Sequence, residues 1–309
     1  MLSVTIDKKE IMKHKKLLIF INPEFDKRFN GGISRLYQIF CHQLNCNLEI
    51  VDVEFLKSNM PDDNHKQILI IAGGDGTIHK VINTIPDEAF KGYLFGIIPG
   101  GTANEFAKAL HIPISFQKAA ELIASNKKIY FEHIGIVNNE FKFATGILYG
   151  IAAQVLLITP VIAKHLFGRN AFIIGLLKYL VLYWEEFWIR RKEFIANDKF
   201  FRTNYLLINN ASLISKDIEK SDINLENMNE FSIVYLHSRL KFIEILKIFI
   251  KYHSHYKIFN DHALAWLQTN EIKLEFRDIA EFLLDGEFYK LNSPMNIKFF
   301  KYPMTIISG

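Results

Sequence analysis

The sequence predicts an α/β domain on an open parallel sheet, residues 1–128, followed by a mostly antiparallel β domain, residues 129–309. Two observations carry this reading. Up to Lys128, short apolar runs alternate with segments of helical spacing, as in a βα series. Beyond it the apolar runs alternate with turn pairs, the pattern of hairpins. The chain has 309 residues, half of them hydrophobic and 27 of them Phe, so two cores can be filled.

In chain order, Lys16-Leu-Leu-Ile-Phe-Ile-Asn22 is an apolar strand closed by Asn22-Pro23, with a loop that reaches Gly31-Gly32. Residues 33–44 have helical periodicity and Asn47–Val53 alternates like a strand. Gln67–Ala72 is an Ile/Leu run bounded by glycine, the signature of a buried parallel strand, and it ends in Gly73-Gly74-Asp75-Gly76-Thr77. Glycines packed this closely mean a sharp turn against something bulky, and without Cβ atoms the backbone N–H groups can approach anionic oxygens. Thr77–Asn83 has helical spacing, so a positive helix N-terminus would face the same place. Asp75 suits such an anion cradle only if it holds a cation, so it reads as a Mg²⁺ ligand or a base. The alternative is a strand-to-helix turn with an Asp cap.

A second unit of this kind follows. Leu94–Ile98 is an apolar strand, Pro99-Gly100-Gly101-Thr102-Ala103-Asn104 is its turn, and Glu105–Leu110 starts a helix; a further helix covers 114–125. Two such turns would lie side by side at the carboxyl edge of one sheet.

In the second part, Ile129–Val137 and Glu140–Thr145 form a hairpin around Asn138-Asn139. Further strands are expected at 193–196, 203–209, 231–236, 263–276 and 297–300. The stretch Ala171–Trp188 is the most hydrophobic, but Lys178, Glu185 and Glu186 interrupt it short of the roughly 20 apolar residues that span a bilayer. It reads as a core helix or, with Arg190-Arg191-Lys192 behind it, an interfacial one. His253 and His255 lack a third ligand nearby, so no metal is expected there. Phe282-Leu-Leu-Asp285-Gly286-Glu287 reads by itself as a strand ending in a tight turn.

The net charge of +4 suits an acidic substrate or an anionic membrane surface, and the lysines of segment 8–16 make a solvated or membrane-facing arm. Basic residues are not arranged with aromatics in a stripe, so no nucleic-acid partner is expected. Cys41 and Cys46 are the only cysteines, which points to a reducing, cytoplasmic setting, and residues 1–9 lack the apolar stretch of a secretory signal.

Taken together, GGDGT at 73–77, PGGTANEFA at 99–107 and Asp-Gly-Glu at 285–287 resemble the diacylglycerol kinase catalytic domain family, which includes bacterial soluble lipid kinases and sphingosine kinases. The resemblance implies an NAD kinase/diacylglycerol kinase-like parallel α/β sheet joined to an antiparallel β-sandwich that holds the lipid. It also implies an ATP-dependent kinase, peripheral at a membrane, that phosphorylates the hydroxyl of a neutral lipid such as diacylglycerol or a sphingoid base. ATP phosphates would lie against Gly73, Gly74, Gly76 and Thr77 from one turn and Gly101 and Thr102 from the other. Asn22 and Asn104 would fix the nucleotide, Asp75 would hold Mg²⁺, and Glu287 would support metal or nucleotide. Asp285 would be the base, a role that some branches give to the residue at Asp75. Lys80 stands where the family is commonly acidic, and Glu226-Asn227 replaces an Asp-Gly that helps to bind a structural Mg²⁺ in relatives. An NAD kinase, which shares GGDGT, and a silent lipid-binding relative are the alternatives.

Overall fold

The computed structural model describes residues 3–4, 16–23, 25, 31–44, 47–62, 64, 66–125, 128–159, 171–182, 191–210, 230–236 and 264–308. The basic arm before Lys16, most of the loop from Asn22 to Gly31, Cys46, Glu185, Glu186, Arg190, Glu226-Asn227 and the His253/His255 pair lie outside them. The chain divides into two compact units, Met1–Ile134 with Phe300–Gly309, and Gly135–Phe299.

The first unit is an α/β sheet. Its strands are β1 (Ser3–Val4), β2 (Lys16–Ile21), β3 (Asn47–Val51), β4 (Gln67–Gly73), β5 (Tyr93–Pro99) and β6 (Lys128–Glu132), with the chain's last strand, Met304–Ser308, added. Its helices are α1 (Gly32–Leu44), α2 (Val53–Ser58), α3 (Asp75–Thr84), α4 (Ala89–Gly92), α5 (Glu105–Ala109) and α6 (Phe116–Ser125). The sheet order is β1, β6, the last strand, β5, β4, β2, β3. From β5 to β3 all pairings are parallel, with Phe20 opposite Ile71 and Ile71 opposite Ile97. Ile68 to Ala72 are completely buried, as an apolar strand in the middle of a parallel sheet must be. From β2 the chain crosses to β3 on one side, and from β4 it crosses to β5 on the other. The connections that leave the adjacent strands β2 and β4 therefore run in opposite directions, which makes their carboxyl ends the topological switch point where such sheets bind ligands.

The two ends of this unit differ from the sequence expectation. Ile129 to Glu132 were expected to start the second domain, yet they lie in the first sheet as β6, antiparallel to Met304–Ser308. That last strand also runs parallel to β5, with Ile306 opposite Phe95, and the Ser308 hydroxyl donates to the Leu110 carbonyl at 2.6 Å. Five buried residues, Met-Thr-Ile-Ile-Ser, fill a slot between two strands, and so short a run carries no periodicity that assigns it to a sheet.

The second unit holds two antiparallel six-stranded sheets. Its strands before the apolar helices are β7 (Gly135–Val137), β8 (Phe141–Phe143) and β9 (Gly146–Gly150). Helices α7 (Ile151–Ile158) and α8 (Ala171–Leu182) follow, then β10 (Lys192–Ala196), β11 (Lys199–Thr203), β12 (Tyr205–Asn210) and β13 (Phe231–Leu236). The remaining strands are β14 (Leu264–Thr269), β15 (Glu271–Phe276), β16 (Ala280–Leu284), β17 (Glu287–Leu291) and β18 (Met295–Phe299), which makes the chain's last strand β19. One sheet runs β11-β10-β15-β18-β7-β8, the other β14-β13-β12-β9-β16-β17. Phe143 and Phe194 from the first and Phe231 and Phe282 from the second enter one core, which makes the unit a β-sandwich. The single strand expected at 263–276 is two: the chain breaks at Asn270 and passes from the second sheet to the first. Helices α7 and α8 approach closely where Gly175 leaves room for Thr159, whose hydroxyl lies 2.0 Å from where a Cβ would be. Among the described residues no helix is long and apolar enough to cross a membrane.

Tyr149 on β9 gives this sandwich a pH signature. Its ring packs on Phe194 at 5.0 Å and Phe282 at 5.4 Å. Burial, then Tyr179 and Glu281, push its phenol up to about 12. The neutral form is favoured in the fold, so the contribution is complete below the unfolded value of about 10 and is lost as pH rises toward the folded one. Tyr149→Phe is expected to match the wild type in urea at pH 8 and to exceed it at pH 11.

Candidate functional site

The carboxyl ends of β2, β4 and β5 bring both glycine turns and Asn22 together. Asn22 leaves β2 with its N–H on the Ala72 carbonyl at 3.0 Å, and its side-chain Nδ2 donates to Thr77 Oγ1 at 3.1 Å. Thr77 is buried, and its backbone N–H bonds to the Gly74 carbonyl at 2.9 Å, closing the first turn of α3. The strand pairing of β4 with β5 extends into the turns, because the Gly100 N–H donates to the Gly73 carbonyl at 2.8 Å.

The glycines have a structural reason that the sequence does not show. A Cβ on Gly74 would stand 2.8 Å from the Gly101 Cα, and one on Gly101 would stand 2.6 Å from the Gly74 Cα. The two turns thus pack backbone against backbone. A Cβ on Gly73 would overlap the Thr77 side chain, and one on Gly100 would meet the Phe25 ring at 2.5 Å. The bulky thing against which these turns fold is each other.

Asp75 bridges the two turns. Its Oδ2 accepts from the Glu105 N–H and its Oδ1 from the Phe106 N–H, both at 3.1 Å, so the carboxylate caps α5 from the far side of the sheet edge. The sequence suggested a cap, but on its own helix; the capped helix begins thirty residues later, at a spacing that no local pattern reveals. Asn104 sits in the left-handed region at φ 51. Its Oδ1 accepts from the Gly101 N–H and its Nδ2 donates to the Gly101 carbonyl, both at 2.8 Å, so its amide shapes the second turn. Gly76 and Thr102 are half-buried members of the same turns. Lys80 is exposed, with its ammonium 5.9 Å from the Phe20 ring centroid.

Asp285 and Glu287 belong to the second unit. Asp285 (φ 51) and Gly286 (φ 92) form the two-residue turn between β16 and β17, where Leu284 pairs with Glu287. The Asp285 carboxylate accepts from the Ala144 N–H at 2.7 Å through Oδ2. Its Oδ1 accepts from the Thr145 N–H at 2.7 Å, the Thr145 hydroxyl at 2.6 Å and the Gly146 N–H at 3.2 Å. Ala144 and Thr145 were not singled out in the sequence, since nothing local ties them to a residue so far downstream. Glu287 is exposed, and burial with Glu287 and Asp285 nearby pushes the Tyr289 phenol up.

Among the described residues no three His, Cys, Asp or Glu side chains are grouped to hold a metal ion. One carboxylate at the mouth of two glycine turns fits a Mg²⁺ that takes most of its ligands from phosphate and water, as this cation does beside nucleotides, and does not fit an all-protein cage.

Comparison with known proteins agrees with the motifs. Residues 16–134 match the family described as the diacylglycerol kinase catalytic domain. A diacylglycerol kinase of Staphylococcus haemolyticus is 38% identical over 109 residues, 35% of this chain and 32% of the relative. One of Staphylococcus carnosus is 39% identical over 75 residues, 24% of each chain. The match thus spans a third or less of the curated relatives' own length. The crystal structure of a diacylglycerol kinase from Bacillus anthracis has a TM-score of 0.63 and 16% identity, covering 96% of this chain and 97% of that one. At that identity it shows a shared fold, parallel α/β sheet and β-sandwich together.

Proposed function

We propose that this chain is an ATP-dependent lipid kinase that transfers a phosphoryl group to the hydroxyl of a neutral lipid at a membrane surface. The observation that carries it is the meeting of GGDGT and PGGTAN at the switch point of the first sheet, clamped by Asp75 within a match to the diacylglycerol kinase catalytic domain. The relatives' names favour diacylglycerol as the acceptor; a sphingoid base is the second candidate.

Phosphoryl transfer needs positioning, charge neutralisation and a destination for one proton. The amides of Gly73, Gly74, Gly76 and Gly101 and the hydroxyls of Thr77 and Thr102 hold the phosphates. Asn22 keeps Thr77 in place, and Asn104 keeps Gly101 in place, so both act on the nucleotide through the turns they shape. Asp75 would hold Mg²⁺, which would supply positive charge against the phosphates, and Glu287 would support the metal or the nucleotide. The alcohol proton passes to a carboxylate, and the motifs supply two, Asp75 and Asp285. The enzyme works in the cytoplasm, as a peripheral protein.

The test is incubation with γ-labelled ATP and Mg²⁺ over mixed micelles of diacylglycerol, monoacylglycerol, sphingosine or ceramide, with NAD in a parallel tube, followed by organic extraction. Label in the organic phase with diacylglycerol is the expected result. Label only on NAD, or on nothing, contradicts the reading.

A further inference from the structure

We propose that one face of the apolar helix pair α7 and α8 is a docking surface for an anionic phospholipid bilayer, with α8 lying in the plane of the interface; this rests on the lipid kinase reading above and names the face by which the second unit meets lipid. Ile174, Leu177, Val181 and Leu182 are exposed, and their spacing puts them with the exposed Lys178 on one stripe of α8. The other side of the helix faces protein: Leu176 and Tyr179 are buried, and Gly175 lets α7 close in at Thr159. Leu157 adds an exposed apolar side chain from α7. A single exposed leucine is ordinary, whereas a row of aliphatic side chains along one helix, with Val181 81% exposed, marks an interaction face.

Charge and length decide what covers this face. Neither helix holds an acidic residue, and Lys178 is the one charge on either. A lysine among apolar side chains suits a bilayer interface, where its stem lies along acyl chains and its ammonium reaches the headgroup phosphates. It does not suit a second copy, because a two-fold contact centred on this stripe would bring two Lys178 ammoniums together out of water. At 12 residues α8 is about 18 Å long, against the roughly 30 Å of a hydrocarbon core, so it lies in the surface and does not cross. The face is also tied to the turn that carries Asp285. β9 starts at Gly146, whose carbonyl accepts from the Asp285 N–H at 3.0 Å, and it pairs with β16 through Ile147 and Leu284. Its other end, Gly150, opens α7. Four strand steps, about 13 Å, thus separate the acidic turn from the start of the lipid-facing pair.

The full chain is sedimented with sucrose-loaded vesicles of phosphatidylcholine, with or without phosphatidylglycerol, and no ATP. The wild type is expected to bind both and to prefer the anionic ones. Leu177→Gln/Val181→Gln is expected to partition at least about tenfold less onto both, and Lys178→Gln to lose only the anionic preference. The replaced side chains are exposed, so the melting temperature is expected to stay at the wild-type value. Val181→Gln alone, expected to bind severalfold less, takes the place of the double variant should two changes unfold α8. On long-chain diacylglycerol in vesicles the double variant is expected to lose turnover in step with binding, and on a short-chain diacylglycerol below its micelle-forming concentration to match the wild type. A wild type that stays in the supernatant, or a double variant that sediments as the wild type does, overturns the proposal. So does a wild-type dimer in the ultracentrifuge that the double variant turns into a monomer, because a second copy then covers the face. Sedimentation needs no phosphoryl transfer: if no lipid is phosphorylated, the kinase reading falls, while vesicle binding still decides the docking face.

Discussion

Asp75→Asn is expected to lower phosphoryl transfer at least about 10²-fold with little loss of fold. The carboxylate has two duties that this substitution divides. As a cap it accepts from the Glu105 and Phe106 N–H groups; an Asn oxygen keeps one of these bonds, and its NH₂ opposes the other. Loss of one partly buried bond costs about 1 kcal/mol, a few degrees of melting temperature at most. As a cation ligand beside polyphosphate, Asn is much weaker, because it brings no charge. A large drop in kcat with a melting temperature close to wild type is therefore the signature of chemistry. Near-wild-type turnover would remove Asp75 from the mechanism and leave it a cap.

Gly101→Ala is expected to have the largest effect on the site as a whole. Its methyl would stand 2.6 Å from the Gly74 Cα, which is backbone, and 3.0 Å from Asn104 Oδ1, which two hydrogen bonds to Gly101 hold in place. The turns must move apart, at a cost of about 3 kcal/mol of overpacking. The bonds of Asp75 to α5 and of Asn104 to Gly101 would stretch with them. ATP affinity should fall at least about tenfold, read by calorimetric titration, together with a lower melting temperature. Gly100→Ala is the comparison. Its methyl meets the buried Phe25 ring at 2.5 Å and stands 3.3 Å from the Gly73 Cα, so it should lower the melting temperature through the core while disturbing the contact between the turns, and ATP affinity, less.

The legible part of this protein was local. The parallel sheet could be read because Gln67–Ala72 and Leu94–Ile98 are apolar runs that end in glycine, and the antiparallel character of the second part because turn pairs such as Asn138-Asn139 punctuate its strands; the sandwich itself was implied only by the family resemblance. What stayed hidden was long-range. No periodicity could place Met304–Ser308 between β5 and β6, or break 263–276 at Asn270, because sheet membership depends on partners far away in the chain. The site followed the same rule. Its residues could be named from motifs, but not their partners: Asp75 with Glu105 and Phe106, Asn22 with Thr77, Asp285 with residues 144–146. The glycines were legible as obligatory, but the packing of one turn against the other was not, because a turn that must approach a ligand and a turn that must approach another turn leave the same letters in the sequence.

The central claim is that ATP gives its terminal phosphoryl group to a lipid hydroxyl on this chain. It is tested most directly by the stoichiometry of ADP and phospholipid formed over diacylglycerol vesicles, followed in one reaction by coupled nucleotide assay and lipid extraction. One mole of phosphatidate per mole of ADP, abolished with EDTA and in Asp75→Asn, is the result the account predicts. ADP formed without phospholipid, or no turnover of either over any lipid hydroxyl, would contradict it.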